Sequence, residues 1–436
     1  GGPVDWRLLH AGARRNRVPL PGYPFRRELC FLPQHPVLEP TAPARVEVRE
    51  GATGPDDFVT GAVASVLGLE RHVIDRTRSL ADYGLNSLLL TGVLSRVRGA
   101  YPAFRPEWLQ VHDTLDDVVA RLSGVAAGGP AEGVRFPELV HLNSVTGGRP
   151  VFWVHGALAG VETYRTIAAR VDRPFYGIQA RGFMTEDAPV EGIPAMAEHY
   201  LGIIRAVQPE GPYDVGGFCL GGIVSYEITR LLQDRGQEVR SLVMVDSPDT
   251  TGWAKSNGGG SATARSAALQ VVNSLLWPAG VKGLDDVRPR LIHQTEVVGA
   301  PEDDAAFTRV LADLAVERGL TMRREQVVDF VERNIAVQLA YRIGEFGIRP
   351  LADPDAVAAT YFRNVRGLFL GALEPYFQVV GETFSLDHIN YRQDWERELP
   401  GLRVVDVDAA NHMTLMHEQD SLAAVEETCV RAYTAD

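Results

Sequence analysis

Cys219 stands between two glycines, in Gly217-Phe-Cys219-Leu-Gly221, where the apolar run ending at Val215 gives way to an amphipathic stretch over 222–235. A side chain on a sharp strand-to-helix turn is pushed into the open as a nucleophile. Glycines flank it because the turn is too tight for side chains and the next helix must approach the strand closely. A thiol nucleophile needs a base, and the base needs an orienting group. His412, in Ala409-Ala-Asn-His412-Met-Thr, follows the apolar run Val404–Val407 and is the candidate general base. Asp246, which ends Leu242-Val-Met-Val-Asp, is the candidate carboxylate to hold that ring and fix its tautomer. A second reactive position lies far upstream. Asp82-Tyr-Gly-Leu-Asn-Ser87-Leu sets a serine where a loop meets a helix N-terminus, so its hydroxyl is exposed and the helix dipole favours a phosphate attached to it.

The elements that must position these groups follow from periodicity. Residues 56–69 place Phe58, Val59, Val63, Val66, Leu67 and Leu69 at helical spacing behind two acids. A second helix is expected from Ser87 through Val97, and a third from Thr114, with Asp117 three places on as a capping signal. Together they make a small all-α bundle over 54–124. Residues 125–135, rich in Gly and Ala, read as a flexible linker. From 136 to 436 the pattern changes to short apolar runs, at 151–154, 176–178, 213–215, 241–245 and 403–407, alternating with helical stretches such as 195–208 and 222–235. That alternation predicts an α/β domain whose parallel sheet is covered on both faces. From about 250 to 375 the rhythm breaks into mostly helical patterning, read as an inserted lid. The proline- and aromatic-rich start, 1–53, reads as an extended linker along a neighbouring surface.

These motifs carry a resemblance. The run around Ser87 is similar to the phosphopantetheine attachment motif of acyl and peptidyl carrier domains, with Asn86 replacing the more usual aspartate. Pro19-Leu-Pro-Gly-Tyr-Pro-Phe25 resembles the linker that follows acyltransferase regions in modular polyketide synthases. Tyr176-Gly-Ile-Gln-Ala-Arg-Gly182, Ile204-Arg-Ala-Val-Gln-Pro and Gly216-Gly-Phe-Cys-Leu-Gly-Gly222 resemble the type I thioesterases that end nonribosomal peptide synthetases and related polyketide assembly lines. The resemblance implies an acyl carrier protein plus thioesterase didomain: an α/β-hydrolase thioesterase with a helical lid, preceded by a small helical carrier bundle. It also implies 4'-phosphopantetheine on Ser87, loaded by a phosphopantetheinyl transferase, with an acyl chain delivered from upstream synthase modules and a homodimer formed through them. The nucleophile departs from the family, which mostly uses serine. Chain order in α/β-hydrolases, nucleophile then acid then histidine, fits Cys219, Asp246 and His412; Asp387 and Glu382 are the runners-up for the acid. Backbone N–H groups of Ala157 and Leu220 are expected to bind the oxyanion. His155 is expected to shape the first of those loops without acting as a base, His417 to be a solvated residue of the last helix, and His293 and His388 to be bland.

The implied activity is release of a carrier-bound polyketide or peptide-polyketide chain through an acyl-Cys219 intermediate, by cyclisation or hydrolysis. Two rivals are a non-catalytic scaffold remnant and an editing hydrolase that clears stalled acyl groups. Bulk properties set limits. Over 436 residues the net charge is -13, which argues against a nucleic-acid partner. No apolar run is long enough to suggest a membrane helix, so a cytoplasmic protein is expected. Cys30, Cys219 and Cys429 are too scattered for a disulfide framework or a metal site. The Gly1-Gly2 start, without Met, suggests a fragment of a longer polypeptide.

Overall fold

The computed structural model describes residues 54–434 apart from 68, 84, 86, 102–103, 105–107, 110–112, 124–135, 144, 186, 249–262, 278–286, 321, 323, 382–386 and 388–390. The linkers read over 1–53 and 125–135, and Cys30, Asn86, Glu382 and His388, lie outside the described residues.

The first region is the expected helical bundle: α1 (Pro55–Leu67), α2 (Ser87–Ala100) and α3 (Leu115–Ser123). Its core is the apolar stripe read from the sequence, with Val59, Val63, Leu67, Val93, Leu94, Val97, Leu115 and Val118 all buried. A capping box starts α3: Asp117 N–H donates to Thr114 Oγ1 at 3.2 Å, and Thr114 N–H donates to Asp117 Oδ2 at 3.0 Å.

The second region is built on a seven-stranded sheet in the order β1-β3-β2-β4-β5-β6-β7. The strands are β1 (Leu139–His141), β2 (Val151–Val154), β3 (Phe175–Ile178), β4 (Tyr213–Phe218), β5 (Val239–Val245), β6 (Ala358–Asn364) and β7 (Arg403–Val407). Only the β1–β3 pairing is antiparallel. Alternate side chains serve opposite faces. Phe152, Val154, Val215, Leu242 and Met244 join the core under α5 (Ile193–Val207) and α6 (Leu220–Asp234). Val151, Trp153, Val243 and Val245 pack instead with α4 (Arg165–Arg170) and the C-terminal helix, Gln419–Thr434. Strand β4 is held at its start by Asp214, which is fully buried and accepts from Arg173 Nη2 at 2.6 Å and Arg240 Nε at 2.9 Å.

Two expectations change here. Ala358–Asn364, inside the stretch read as lid, is a strand of the sheet between β5 and β7, so the insertion between β5 and β6 ends before it. The insertion itself holds α7 (Ala264–Leu276), α8 (Asp304–Glu317) and α9 (Arg324–Ala340), packed on one another through Leu269, Val272, Phe307, Leu311, Val327 and Val331. His417 sits in the turns before the last helix, which starts at Gln419, and is exposed.

Candidate active site

Strand order reverses at β2, whose two neighbours are β3 and β4, and crevices at the carboxyl ends of strands beside such a point are where open α/β sheets bind ligands. Three of the predicted residues meet there. Cys219 ends β4 and caps α6 with φ 56° and ψ -121°, a left-handed backbone that side chains other than glycine seldom adopt. Its N–H is pinned by the Val245 carbonyl at 2.9 Å. A Cβ at Gly221 would lie 2.1 Å from the Val154 carbonyl oxygen, and one at Gly217 would lie 2.4 Å from the Gly221 backbone, so the turn closes only with glycine at both places.

Asp246 ends β5, also at positive φ (44°), with its N–H given to the Phe362 carbonyl at 2.8 Å. One carboxylate oxygen accepts from Asn364 N–H at 3.3 Å, and the other lies 2.8 Å from His412 Nδ1. Nδ1 is thus taken up by Asp246, and Nε2 is the ring nitrogen left for Cys219. Burial pulls His412 down, but the Cys219 charge, the Asp246 and Cys219 hydrogen bonds and the Asp246 charge outweigh it and hold the imidazole at about 10. All three side chains are buried. The runner-up Asp387 has a different partner: its Oδ1 accepts from Phe369 N–H at 2.5 Å.

Both faces of the His412 ring are covered, by Phe218 (centroids 4.6 Å apart) and Phe369 (4.4 Å). The sequence reading missed this pair. Phe218 adjoins Cys219 and could have been suspected; Phe369 carried no signal. Tyr164 was missed too: its hydroxyl donates to the Val154 carbonyl at 2.8 Å and accepts from Phe218 N–H at 3.1 Å, tying the first loop to the elbow. At the end of α9, Tyr341 reaches the site. Burial, with the charges of Tyr200 and Cys219, raises its hydroxyl well above the usual phenol value.

His155 follows β2, fully buried between the Gly156 carbonyl (2.7 Å from Nδ1) and the Tyr200 hydroxyl (2.8 Å from Nε2). Burial pushes it down to about 4, against the Gly156 hydrogen bond, so it stays neutral and shapes the loop that carries Ala157. Leu220 is the first residue of α6, so its N–H has no carbonyl one turn back in that helix. His293 has a local task, capping the 3-10 turn Gln294–Val297. Cys429 is buried, and burial pushes its thiol well above the ordinary value. Among the described residues no group of His, Cys, Asp or Glu could hold a metal ion, and no helix is long and apolar enough to cross a membrane.

Ser87 is the first residue of α2, at the loop-to-helix junction expected of it. The α2 helix packs against β1 and against the 3-10 turn Glu162–Tyr164. Arg96, on α2, donates from Nη2 to the Met184 carbonyl at 2.8 Å, so the bundle is tied to the sheet domain.

Both regions match known protein families. Residues 149–432 match the thioesterase domain family, and residues 57–122 match the phosphopantetheine attachment site family. The chain is similar to the polyketide synthase PksR of Bacillus subtilis, 36% identical over 438 aligned residues that cover 100% of this chain and 17% of that protein. It is also similar to a dimodular nonribosomal peptide synthase of the same organism, 31% identical over 48% of this chain and 9% of that one. The chain therefore spans a small part of the curated relatives it matches. A crystal structure of a four-domain nonribosomal peptide synthetase, in its holo form with AMP and glycine, shares the fold at TM-score 0.53 and 18% identity, covering 92% of this chain and 28% of that one.

Proposed function

The chain belongs to the thioesterase domain family, behind a carrier domain that bears phosphopantetheine on a serine, and from that premise we propose that it releases an acyl chain through covalent attachment to Cys219. The observation that carries this reading is the line Asp246–His412–Cys219, with the nucleophile on a strained elbow and the histidine held at 2.8 Å by the carboxylate.

The arm on Ser87, when present, offers the acyl chain as a thioester. Cys219 Sγ attacks its carbonyl carbon as the thiolate while His412 carries the proton. The Ala157 and Leu220 amides receive the charge that builds on oxygen. As the bond to the old sulfur breaks, His412 gives its proton to that leaving thiolate, and a new thioester joins the chain to Cys219. His412, now neutral, takes a proton from the incoming nucleophile, and the acyl–Cys219 bond breaks to restore the thiol. Asp246 holds the ring in the tautomer that keeps Nε2 toward the thiol.

Cysteine changes the energetics of the second half. A serine enzyme drops from thioester to oxygen ester before release. An acyl-Cys219 intermediate stays near the energy of the incoming thioester and keeps driving force for a weak internal nucleophile. We therefore favour cyclisation or transfer over simple hydrolysis. The substrate is a polyketide or peptide-polyketide chain from upstream modules, loaded after a phosphopantetheinyl transferase has modified Ser87 in the cytoplasm.

The test is intact-protein mass spectrometry of the full chain with an acyl-phosphopantetheine group on Ser87, wild type against Cys219→Ala. Release, or migration to Cys219, in wild type alone supports the reading, and the released mass separates ring from acid. Equal retention in both proteins would favour the scaffold remnant, and release of the free acid alone would overturn cyclisation.

A further inference from the structure

Where the insertion meets the sheet domain, the end of α9 faces α5 and the loop after β3 across a narrow cleft lined by Arg181, Val190, Met196, Tyr200, Val337 and Tyr341. Two of its three polar side chains are already engaged. Arg181 pairs with Asp187 at 3.4 Å and with Glu138 at 3.7 Å. The Gly156 carbonyl takes the proton on His155 Nδ1, so Nε2 of that neutral ring accepts from the Tyr200 hydroxyl at 2.8 Å. The third is Tyr341, only 3% exposed, and its hydroxyl has no hydrogen-bond partner. A buried donor left unmade costs free energy, and native proteins keep few of them. The cleft is closed, so an acceptor for this hydroxyl must be carried in by a bound molecule that parts its walls.

Its place says which molecule. The Tyr341 ring lies against His155, centroids 5.7 Å apart, and His155 runs directly into Gly156, where a Cβ would sit 3.9 Å from the Cβ of Cys219. Burial first, then the charges of Tyr200 and Cys219, keep the proton on the phenol, so it stays a donor. The reacting carbonyl has its own donors in the Ala157 and Leu220 amides. The walls beside Tyr341, namely Val190, Met196 and Val337, are apolar, which suits a hydrocarbon chain that carries a polar atom at one depth. We propose that Tyr341 is a specificity-determining residue of the thioesterase, its hydroxyl donating a hydrogen bond to an oxygen on the acyl chain beyond the thioester carbonyl. A chain without that oxygen leaves the donor buried and unpaired, and is disfavoured for it. This rests on the reading that an acyl chain is brought to Cys219.

The test is a binding measurement, independent of acyl release. The full chain, with Ser87 unmodified and Cys219→Ala, is titrated by calorimetry with the pantetheine thioesters of hexanoic, β-hydroxyhexanoic and δ-methoxyhexanoic acids. At least one oxygenated chain is expected to bind about tenfold to a hundredfold tighter than hexanoyl. Tyr341→Phe keeps the ring against His155 and should bring that chain down to the affinity of hexanoyl. Arg342→Gln, next along the chain and exposed beside Glu191, should leave the preference intact. Equal binding of all three thioesters, or a preference that survives Tyr341→Phe, would overturn the proposal. An equal weakening of all three by Tyr341→Phe would overturn it too, by placing the hydroxyl on the thioester carbonyl that they share. Failure of acyl release in the mass experiment would leave this binding result standing, so the two readings fall separately.

Discussion

Phe369 lies flat against the His412 imidazole, centroids 4.4 Å apart and planes inclined by 21°, while its own backbone N–H is held by the Asp387 carboxylate. The His412 ring is therefore fixed in its plane by a residue that takes no proton and makes no hydrogen bond to it. Replacing Phe369 with Ala should let the ring leave the line from Asp246 to Cys219. The expected result in steady-state kinetics is a fall in kcat of about 10- to 100-fold with KM changed less. An unchanged kcat would assign the positioning to Phe218 alone.

The two carboxylates should separate cleanly by substitution. Asp246→Asn keeps the shape of the site but removes the acceptor that sets the His412 tautomer, and kcat is expected to drop by roughly 10²- to 10⁴-fold. Asp387→Asn should act only through the Phe369 loop and cost far less. Reversal of that order would make Asp387 the working acid.

His412 should remain an imidazolium up to about pH 10, because burial, which favours the neutral ring, is outweighed by the Cys219 charge and the hydrogen bonds. Below that pH the ring holds its proton; above it the proton is lost. In Cys219→Ala the anionic neighbour is gone while burial and Asp246 remain, so the midpoint should move down. Nuclear magnetic resonance titration of the His412 ring in both proteins checks the sign. A midpoint unmoved by the substitution would mean that Asp246 alone holds the charge.

Asp214 is fully buried under Arg173 and Arg240, and its loss would strand Arg173 with an unpaired charge. Asp214→Ala is expected to cost about 3–5 kcal/mol of stability. Urea unfolding would read it as a lower midpoint at similar slope.

Much of this was legible in the residues. The carrier helices, the capping box at Thr114 and the elbow at Cys219 follow from local spacing and from glycines that only one backbone shape requires, and the pairing of Asp246 with His412 follows from the chain order that the resemblance implies. The rest depends on contacts between distant segments. Ala358–Asn364 reads ambiguously because its neighbours are helical, and only pairing with β5 and β7 makes it a strand. Phe369 and Asp387 act on His412 across a turn with no periodic signature. Arg165 looks like an ordinary helix-start arginine, yet its buried Nε and Nη2 have no hydrogen-bond partner.

Arg96 ties the bundle to the sheet domain through the Met184 carbonyl, and a hydrogen at Gly92 replaces what would be a Cβ 2.3 Å from Met184 Cε. Burial lowers the Arg96 guanidinium, and Arg333 on α9, of the same sign, lowers it further. A contact of this kind holds without gripping. A side chain at Gly92 or a shorter one at Arg96 would therefore act first on the seam between the two regions and leave the core of each untouched.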